Sequence, residues 1–442
     1  MTFNGPIGGL IDFAIGGGWG SEVPKENHSR VAIIRGTDIP KVASGDFSTV
    51  PFRYESDKKI ANRVLAPGDV VLETAGGSSA NGQYTGRTLL ITQEILDILG
   101  PTICASFCKK LVLKQDLVNP LYFYLYMQDL YKSGRVASYD SQSTGISNFQ
   151  YEAFVNNELL ELPKFEIQTS VANVLANLQI KINNNSQISK TLEDIAQTIF
   201  KSWFIDFDPV KAKMAGEKPA GMDAATAALF PDSMVESGHG LIPKSWEVVT
   251  LEHLAQISKK SVNPQSNSST KFAHYSIPAF DSGLYPTYVA GEKILSGKFI
   301  VDRPSILVSK LNPQTQRIWT VTKPHNNAIC STEFIVLTPF LEESFSFINQ
   351  VVKSVSFQEA FVGMATGSTG SRQRVRPDEI LQVPIVVPNM QVVRVYSDAT
   401  FKMIQEIDLI REQNQALINL RDALLPRLIS GEVQIPEEMI AS

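Results

Sequence analysis

The sequence predicts an α+β protein: two mixed α/β globular domains joined by two long helices that pair as an antiparallel coiled coil. Three observations predict it. Short motifs recur at a nearly constant offset, two long segments carry an apolar residue about every 3.5 positions, and strand-like runs share each remaining part with helix-like ones. The chain has 442 residues, of which 43% are hydrophobic and 19% charged. At roughly 100–200 residues per domain that is enough for two to four domains with real cores, and it excludes wholesale disorder.

The duplication is read first because it decides the architecture. Ile103-Cys104-Ala105-Ser106 resembles Ile329-Cys330-Ser331-Thr332 at an offset of 226. Ser143-Thr144-Gly145 recurs as Ser368-Thr369-Gly370, and Leu162-Pro163 as Val387-Pro388, both at 225. After Pro163 an apolar stripe runs through Val171, Val174, Leu178, Ile182, Ile188, Leu192, Ile195, Ile199 and Trp203. After Pro388 a second runs through Val393, Tyr396, Thr400, Met403, Ile407, Ile410, Leu417, Leu420, Leu424 and Leu428. Both keep the heptad period, and each narrow stripe with a polar remainder suits a helix–helix seam better than a core helix. Roughly 40 residues at about 1.5 Å each give a rod of about 60 Å. The simplest partner for either helix is the other, antiparallel. Asn185 and Asn414 interrupt the stripes. As seam residues they fix register at some cost in stability; an Asn tolerated near a helix bend is the other reading.

The boundaries follow. Residues 1–162 form the first domain, 163–207 the first long helix, 208–240 a connector, 241–387 the second domain, 388–431 the second long helix and 432–442 a tail. Gly216, Pro219, Gly221, Pro231, Gly238 and Gly240 break the connector, leaving one short helix near Ala224–Leu229. Strand-like runs stand at Val31–Ile34, Val70–Leu72, Thr88–Ile91, Ile306–Val308 and Phe334–Leu337. Pro120–Tyr131 and Glu343–Val355 read as helices.

Several chemistries are missing. There is no GxxxxGK[ST] phosphate loop, no HExxH and no Gly-x-Ser-x-Gly elbow, and Gly16-Gly17-Gly18-Trp19-Gly20 lacks the dinucleotide-binding spacing. Asn119-Pro120-Leu121-Tyr122 is superficially similar to the Asn-Pro-Pro-Tyr tetrad of DNA adenine methyltransferases, but the second proline is absent, and a helix start is the ordinary explanation. Cys104, Cys108 and Cys330 are too few for a disulfide framework and read as buried thiols in a reducing cytoplasm. No metal site is expected, and no apolar run reaches membrane-spanning length. The net charge is −5; residues 1–163 are net −3 and residues 245–384 net +2. If DNA is bound, the positive surface is local or supplied partly by a partner. A duplicated chain without a catalytic constellation reads as a binding protein, not an enzyme.

The segment Ile195-Ala196-Gln197-Thr198-Ile199-Phe200-Lys201-Ser202-Trp203-Phe204-Ile205-Asp206-Phe207-Asp208-Pro209-Val210 resembles the central conserved region of the specificity (S) subunit of type I restriction–modification enzymes. Leu420-Arg421-Asp422-Ala423-Leu424-Leu425-Pro426-Arg427-Leu428-Ile429-Ser430-Gly431-Glu432 is similar to that family's distal conserved region, and Ile242-Pro243-Lys244-Ser245-Trp246-Glu247 to its usual lead into the second recognition domain. The resemblance covers essentially the whole chain. It departs at the helix starts, where the usual Pro-x-x-x-Glu-Gln is Pro163-Lys164-Phe165-Glu166-Ile167-Gln168 and Pro388-Asn389-Met390-Gln391, which leaves the local contacts there open.

The resemblance implies two target recognition domains in approximate twofold relation, each reading one half of a split, asymmetric double-stranded DNA sequence. It implies helices that set the spacing and dock two methylation (M) subunits, which bring S-adenosylmethionine and methylate adenine N6. Restriction (R) subunits would add ATP- and Mg-dependent translocation and cleavage. The chain itself would bind no cofactor and work in the cytoplasm, in defence against phage. The other reading is a coiled-coil scaffold whose two domains bind protein or another ligand.

Base readout needs side chains with paired donors and acceptors on loops that reach base edges. In the first domain the candidates are Arg35, Thr37, Asp38, Ser78, Ser79, Asn81, Gln83, Tyr84, Arg87, Gln142, Ser143, Thr144 and Asn148. In the second they are Lys310, Asn312, Gln314, Ser368, Thr369, Ser371, Arg372, Gln373 and Arg374. The Ser-Thr-Gly loops are the preferred units because each recurs just before its long helix.

Overall fold

In the computed structural model, described over residues 3–76, 84–143, 146–366, 373–436 and 438, the chain divides into two units. The first is Met1–Ile180 with Ile418–Ser442; the second is Lys181–Leu417. Each takes a share of both long helices, so the domain boundaries read from sequence and this division by contacts cut the chain differently.

In the first unit the run Val70-Val71-Leu72 is apolar without interruption because it is covered on both faces. Strand alternation sends Val70 and Leu72 into one core, with Leu111, Leu113 and the helix residues Tyr122, Phe123 and Met127, and Val71 into another, with Ala32, Ile34, Leu89 and Cys104. The four-stranded antiparallel sheet runs in the order Ile11–Gly16, Cys108–Leu113, Val70–Glu73, Thr88–Leu90. A second sheet of three strands places Thr102–Cys104 parallel to His28–Ile34, with Ile34 opposite Cys104. The Gly16–Gly18 run packs against it. A Cβ on Gly17 would stand 2.1 and 2.2 Å from the carbonyl oxygens of Cys104 and Ala105, so only glycine fits. Helix Pro120–Lys132 opens on Asn119, whose side chain accepts from the amides of Leu121 and Tyr122, so the Asn-Pro-Leu-Tyr run is a helix cap. Ile435 in the tail is buried in this unit.

The second unit has the same strand order in its antiparallel sheet: Ala255–Ile257, Phe334–Pro339, Ser305–Ser309, Ile318–Val321. Ile306 and Val308 face one core and Leu307 the other. Here the second sheet has five strands, and Ala328–Cys330 lies parallel to Lys271–Tyr275 with Cys330 opposite Tyr275. The recurrent Ile-Cys dipeptide therefore ends the same parallel strand in each unit. All three cysteines are free and buried, and burial pushes the thiols of Cys104 and Cys330 up to about 12.

The first long helix spans Phe165–Phe200, widens into a π-helical turn over Lys201–Ile205, and passes through Phe207 at φ 56° into a helix Asp208–Met214. The last is a second helix in the connector beside Ala224–Ala228, where one was expected. The second long helix spans Met390–Ile429. At the first helix start Gln168 is buried, donates to the carbonyls of Leu117 and Pro163 and accepts from the Asn119 amide. At the second, Asn389 caps the amide of Val392. No helix of the described residues is long and apolar enough to cross a membrane.

Within the second unit the two helices run antiparallel. Asn185 lies level with Asn414, and farther along Tyr396 packs on Phe200, Trp203 and Phe204 and its hydroxyl reaches back to Ala196 O. Asn185, 2% exposed, donates its amide to Asn414 Oδ1 at 2.9 Å, and Asn414 donates to Ile182 O at 3.2 Å and Ser186 Oγ at 3.1 Å. Of the expected seam residues, Ile182, Ile407 and Ile410 are buried and Leu178, Leu192, Ile199, Met403, Leu417 and Leu424 half-buried. Three are corrections: Ile188 is 48% exposed, Ile195 41% and Leu420 46%. Ala196 is buried in place of Ile195, and the Tyr396 hydroxyl, whose ring packs on Phe200, Trp203 and Phe204, donates to Ala196 O. In the first unit Arg421, one residue on from Leu420, turns inward to Gln179.

The second domain's own elements are tied to these helices by polar groups. Asp408 accepts from the Thr322 amide at 3.0 Å and its hydroxyl at 2.6 Å. Lys353, nearly buried, reaches Glu193 at 2.9 Å, and Gln350 joins it. Burial lowers the pKa of Lys353 despite Glu193; burial also works against the Glu193 charge, but the Lys353 ammonium and the amides of Gln197 and Gln350 hold its pKa below the ordinary 4.5. The stabilisation from Glu193 is thus full above about pH 4.5 and is lost as the pH falls through its lowered value.

Two outcomes are expected. Ile195→Asp and Leu420→Asp should change unfolding free energy by no more than about 0.5 kcal/mol, while Ala196→Asp should prevent cooperative folding in urea because its charge has no access to water. Lys353→Met should cost about 3–5 kcal/mol by stranding Glu193, and adding Glu193→Leu should recover most of that; chemical denaturation of the single and double variants measures both.

Candidate nucleic-acid interface

In each unit the strand that ends the central antiparallel pairing delivers its next residue into one backbone arrangement. In the first unit Thr74 donates its amide to Phe107 O at 2.8 Å and accepts from the Phe149 amide at 2.9 Å, and Ala75 forms a bridge with Asn148. In the second, Lys310 donates to Glu333 O at 2.9 Å and accepts from the Val375 amide at 3.1 Å, and Leu311 forms a bridge with Arg374. The bonding assigns Phe107 and Glu333 to equivalent places, and Asn148 and Arg374 likewise. Both pairs are separated by 226 residues, the offset of the Ile-Cys repeat.

The structure therefore brings Arg35, Asp38, Arg87 and Asn148 toward one end of the first unit, but it uses their charges internally. Arg35 forks onto Asp38 through Nε at 2.8 Å and Nη2 at 2.9 Å, and Nη2 also donates to Thr49 O. Asp38 is buried, and although burial opposes its charge, Arg35 and Thr49 hold its pKa down. Gly36 follows because a Cβ there would lie 2.4 Å from the Glu73 carboxylate. Arg87, 19% exposed, forks onto Glu73 through Nε at 2.8 Å and Nη2 at 2.5 Å, and that bond raises its pKa. Thr37 and Tyr84 are exposed. Asp140–Ser143 pairs with Ile146–Phe149 as a hairpin that includes the backbones of Gln142 and Ser143. Ser78, Ser79, Asn81, Gln83 and Thr144, and the side chains of Gln142 and Ser143, lie outside the described residues.

In the second unit Lys310, Asn312, Gln314, Gln373 and Arg374 come together. Asn312, at φ 50°, donates its amide to Gln373 O at 2.9 Å, and Gln314 reaches the Gln373 side chain at 3.5 Å. Arg374 is fixed by amide–carbonyl exchange with Thr366 at 3.0 and 2.9 Å. Its guanidinium forks onto Glu333 through Nε at 3.1 Å and Nη2 at 3.2 Å, which raises its pKa. Ser368, Thr369, Ser371 and Arg372 lie outside the described residues. Sequence reasoning missed Glu333 and Phe107, the latter 64% exposed. The signal was present: both stand three residues after the repeated Ile-Cys cysteine.

Arranged this way, the second unit presents amides and a guanidinium, the groups that read base edges, on a backbone that cannot drift. The fold is one already solved: over 97% of this chain and 96% of the other, it matches the S subunit of a type-I restriction–modification system from M. genitalium, with a TM-score of 0.58 at 14% identity. The sequence relatives are narrower in kind. The type I restriction enzyme HindI specificity subunit of Haemophilus influenzae is 26% identical over 326 residues, 63% of this chain and 70% of that protein. The MjaIX specificity subunit of Methanocaldococcus jannaschii is 23% identical over 423 residues, 91% and 88%. No protein-family model matches the chain. The chain is a homologue of type I restriction enzyme specificity subunits, and the resemblance read from its sequence stands.

Arg87 separates structure from readout. Arg87→Ala should cost about 3–5 kcal/mol by leaving the buried Glu73 carboxylate alone, and Arg87→Ala with Glu73→Gln should regain part of it; thermal and urea unfolding measure the effect.

Proposed function

We propose that this chain is the DNA sequence-specificity subunit of a type I restriction–modification complex, itself without catalytic activity. The observation that carries the reading is the homology to specificity subunits together with the repeated sheet order and its terminal loop pair in both units. Each recognition domain reads one half of a bipartite, asymmetric DNA target. The long helices form an antiparallel coiled coil that holds the two domains apart and docks two methylation subunits, which methylate adenine N6 with S-adenosylmethionine. Restriction subunits add ATP-driven cleavage. The exposed Ile195 and Leu420, left over by the helix seam, suit the docking role, since apolar side chains facing water on a helix gain by being covered. The net charge of −5 fits a reader whose affinity is supplied partly by its partners.

The test is assembly and motif mapping. Co-expressed with the methylation subunit of its own system, the chain should copurify with it and direct methylation to one split motif; stable assembly with no motif, or no assembly, overturns the reading. A second outcome probes the spacing. Four residues inserted after Asn184 and four after Asn414 add about one helical turn, about 6 Å, to both strands of the pair. At about 3.4 Å per base pair the gap between the half-sites should lengthen by about one or two base pairs while both half-site sequences stay the same. A functional variant with the old gap would show that the helices do not set it.

A further inference from the structure

Among the described residues, four arginines meet both oxygens of one carboxylate through the same edge, Nε and Nη2: Arg35 on Asp38, Arg87 on Glu73, Arg317 on Asp281 and Arg374 on Glu333. They differ in what remains. The side chains of Arg87 and Arg317 are largely covered, and Arg35 gives a further N–H to Thr49 O. Arg374 is 47% exposed, and its Nη1 has no hydrogen-bond partner among the described residues. A guanidinium held along its Nε–Nη2 edge still offers the Nη1–Nη2 edge, two parallel donors in a plane that the carboxylate has fixed.

That free edge matches one ligand geometry on DNA. The O6 and N7 of guanine are two acceptors side by side in the major groove, and Arg is the side chain that spans them. A phosphate would also accept, but it needs no fixed plane, and here the plane is fixed at both ends. Thr366 exchanges backbone bonds with Arg374, and Glu333 is itself anchored through its carbonyl to Lys310. The equivalent place in the first unit carries Asn148, another residue type with paired donor and acceptor groups.

We infer that Arg374 reads a guanine in the half-site of the second domain and that Glu333 is its positioning residue. The inference rests on the specificity reading above and adds a residue, a base and a support to it.

The test uses the chain assembled with its methylation subunit. Wild type, R374A, R374K and E333Q are compared by mapping methylated motifs and by binding to duplexes substituted one base pair at a time. If wild type directs no motif, the specificity reading itself has failed and the inference goes with it. If it does, one half-site should contain a guanine whose replacement weakens wild-type binding by about 5- to 150-fold. R374A and R374K should lose that discrimination at that position alone, with the other half-site unchanged. E333Q, which keeps the Arg374 charge but loosens its plane, should reduce discrimination at the same position. Should R374A fail to assemble, R374K decides. An unchanged motif in R374K, or a loss of affinity equal for all sequences with a shallower salt dependence, would overturn the inference and make Arg374 a bystander or a phosphate contact.

Discussion

A buried amide, Asn185, meets a half-buried one, Asn414, in the helix pair of the second unit, and much else is arranged around them. Asn185 and Asn414 sit among aliphatic neighbours, where an unpaired amide is expensive and a hydrophobic residue would bind more tightly. Asn185 donates to Asn414, and Asn414 donates in turn to Ile182 O and Ser186 Oγ on the facing helix. Sliding one helix by a turn would break all three bonds. The apolar seam, which is tolerant of sliding, is thereby given one register. Tyr396 then falls among Phe200, Trp203 and Phe204, and its hydroxyl finds the Ala196 carbonyl.

Once register is set, the second domain's polar anchors have somewhere to go. Glu193 and Asp408 lie on different helices and take Lys353 and Thr322 from the domain. Both must be presented together, so the domain sits on the pair in one orientation only. Buried ion pairs contribute little net stability against apolar replacements. Their use here is directional, and the aromatic core of Phe200, Trp203, Phe204, Phe347 and Tyr396 supplies the cohesion.

The strands were legible in the sequence wherever burial on two faces made the residues apolar without interruption, as at Val70–Leu72 and Ile306–Val308. The long helices were legible through their period, yet the seam was misread by one position at Ile195 and Leu420. Periodicity scores the larger aliphatic, while the folded chain turns the neighbouring residue inward: Ala196, whose carbonyl takes the Tyr396 hydroxyl, and Arg421, which donates to Gln179. One of the candidate loops is in part a hairpin, Asp140–Ser143 with Ile146–Phe149. The pairing of Arg87 with Glu73 was not legible, because the two lie 14 residues apart and meet only through paired strands. Glu333 was missed for the same reason at a separation of 41 residues.

The turn carrying Phe107 in one unit and Glu333 in the other is held through its carbonyl oxygen, which every amino acid possesses. Its side chain contributes nothing to that bond. An exposed phenyl ring and a carboxylate have consequently come to occupy one scaffold position without a change in strand order or loop anchorage. Such a position is open to replacement one codon at a time, and the chemistry that the two units display can diverge while the fold beneath it is inherited intact.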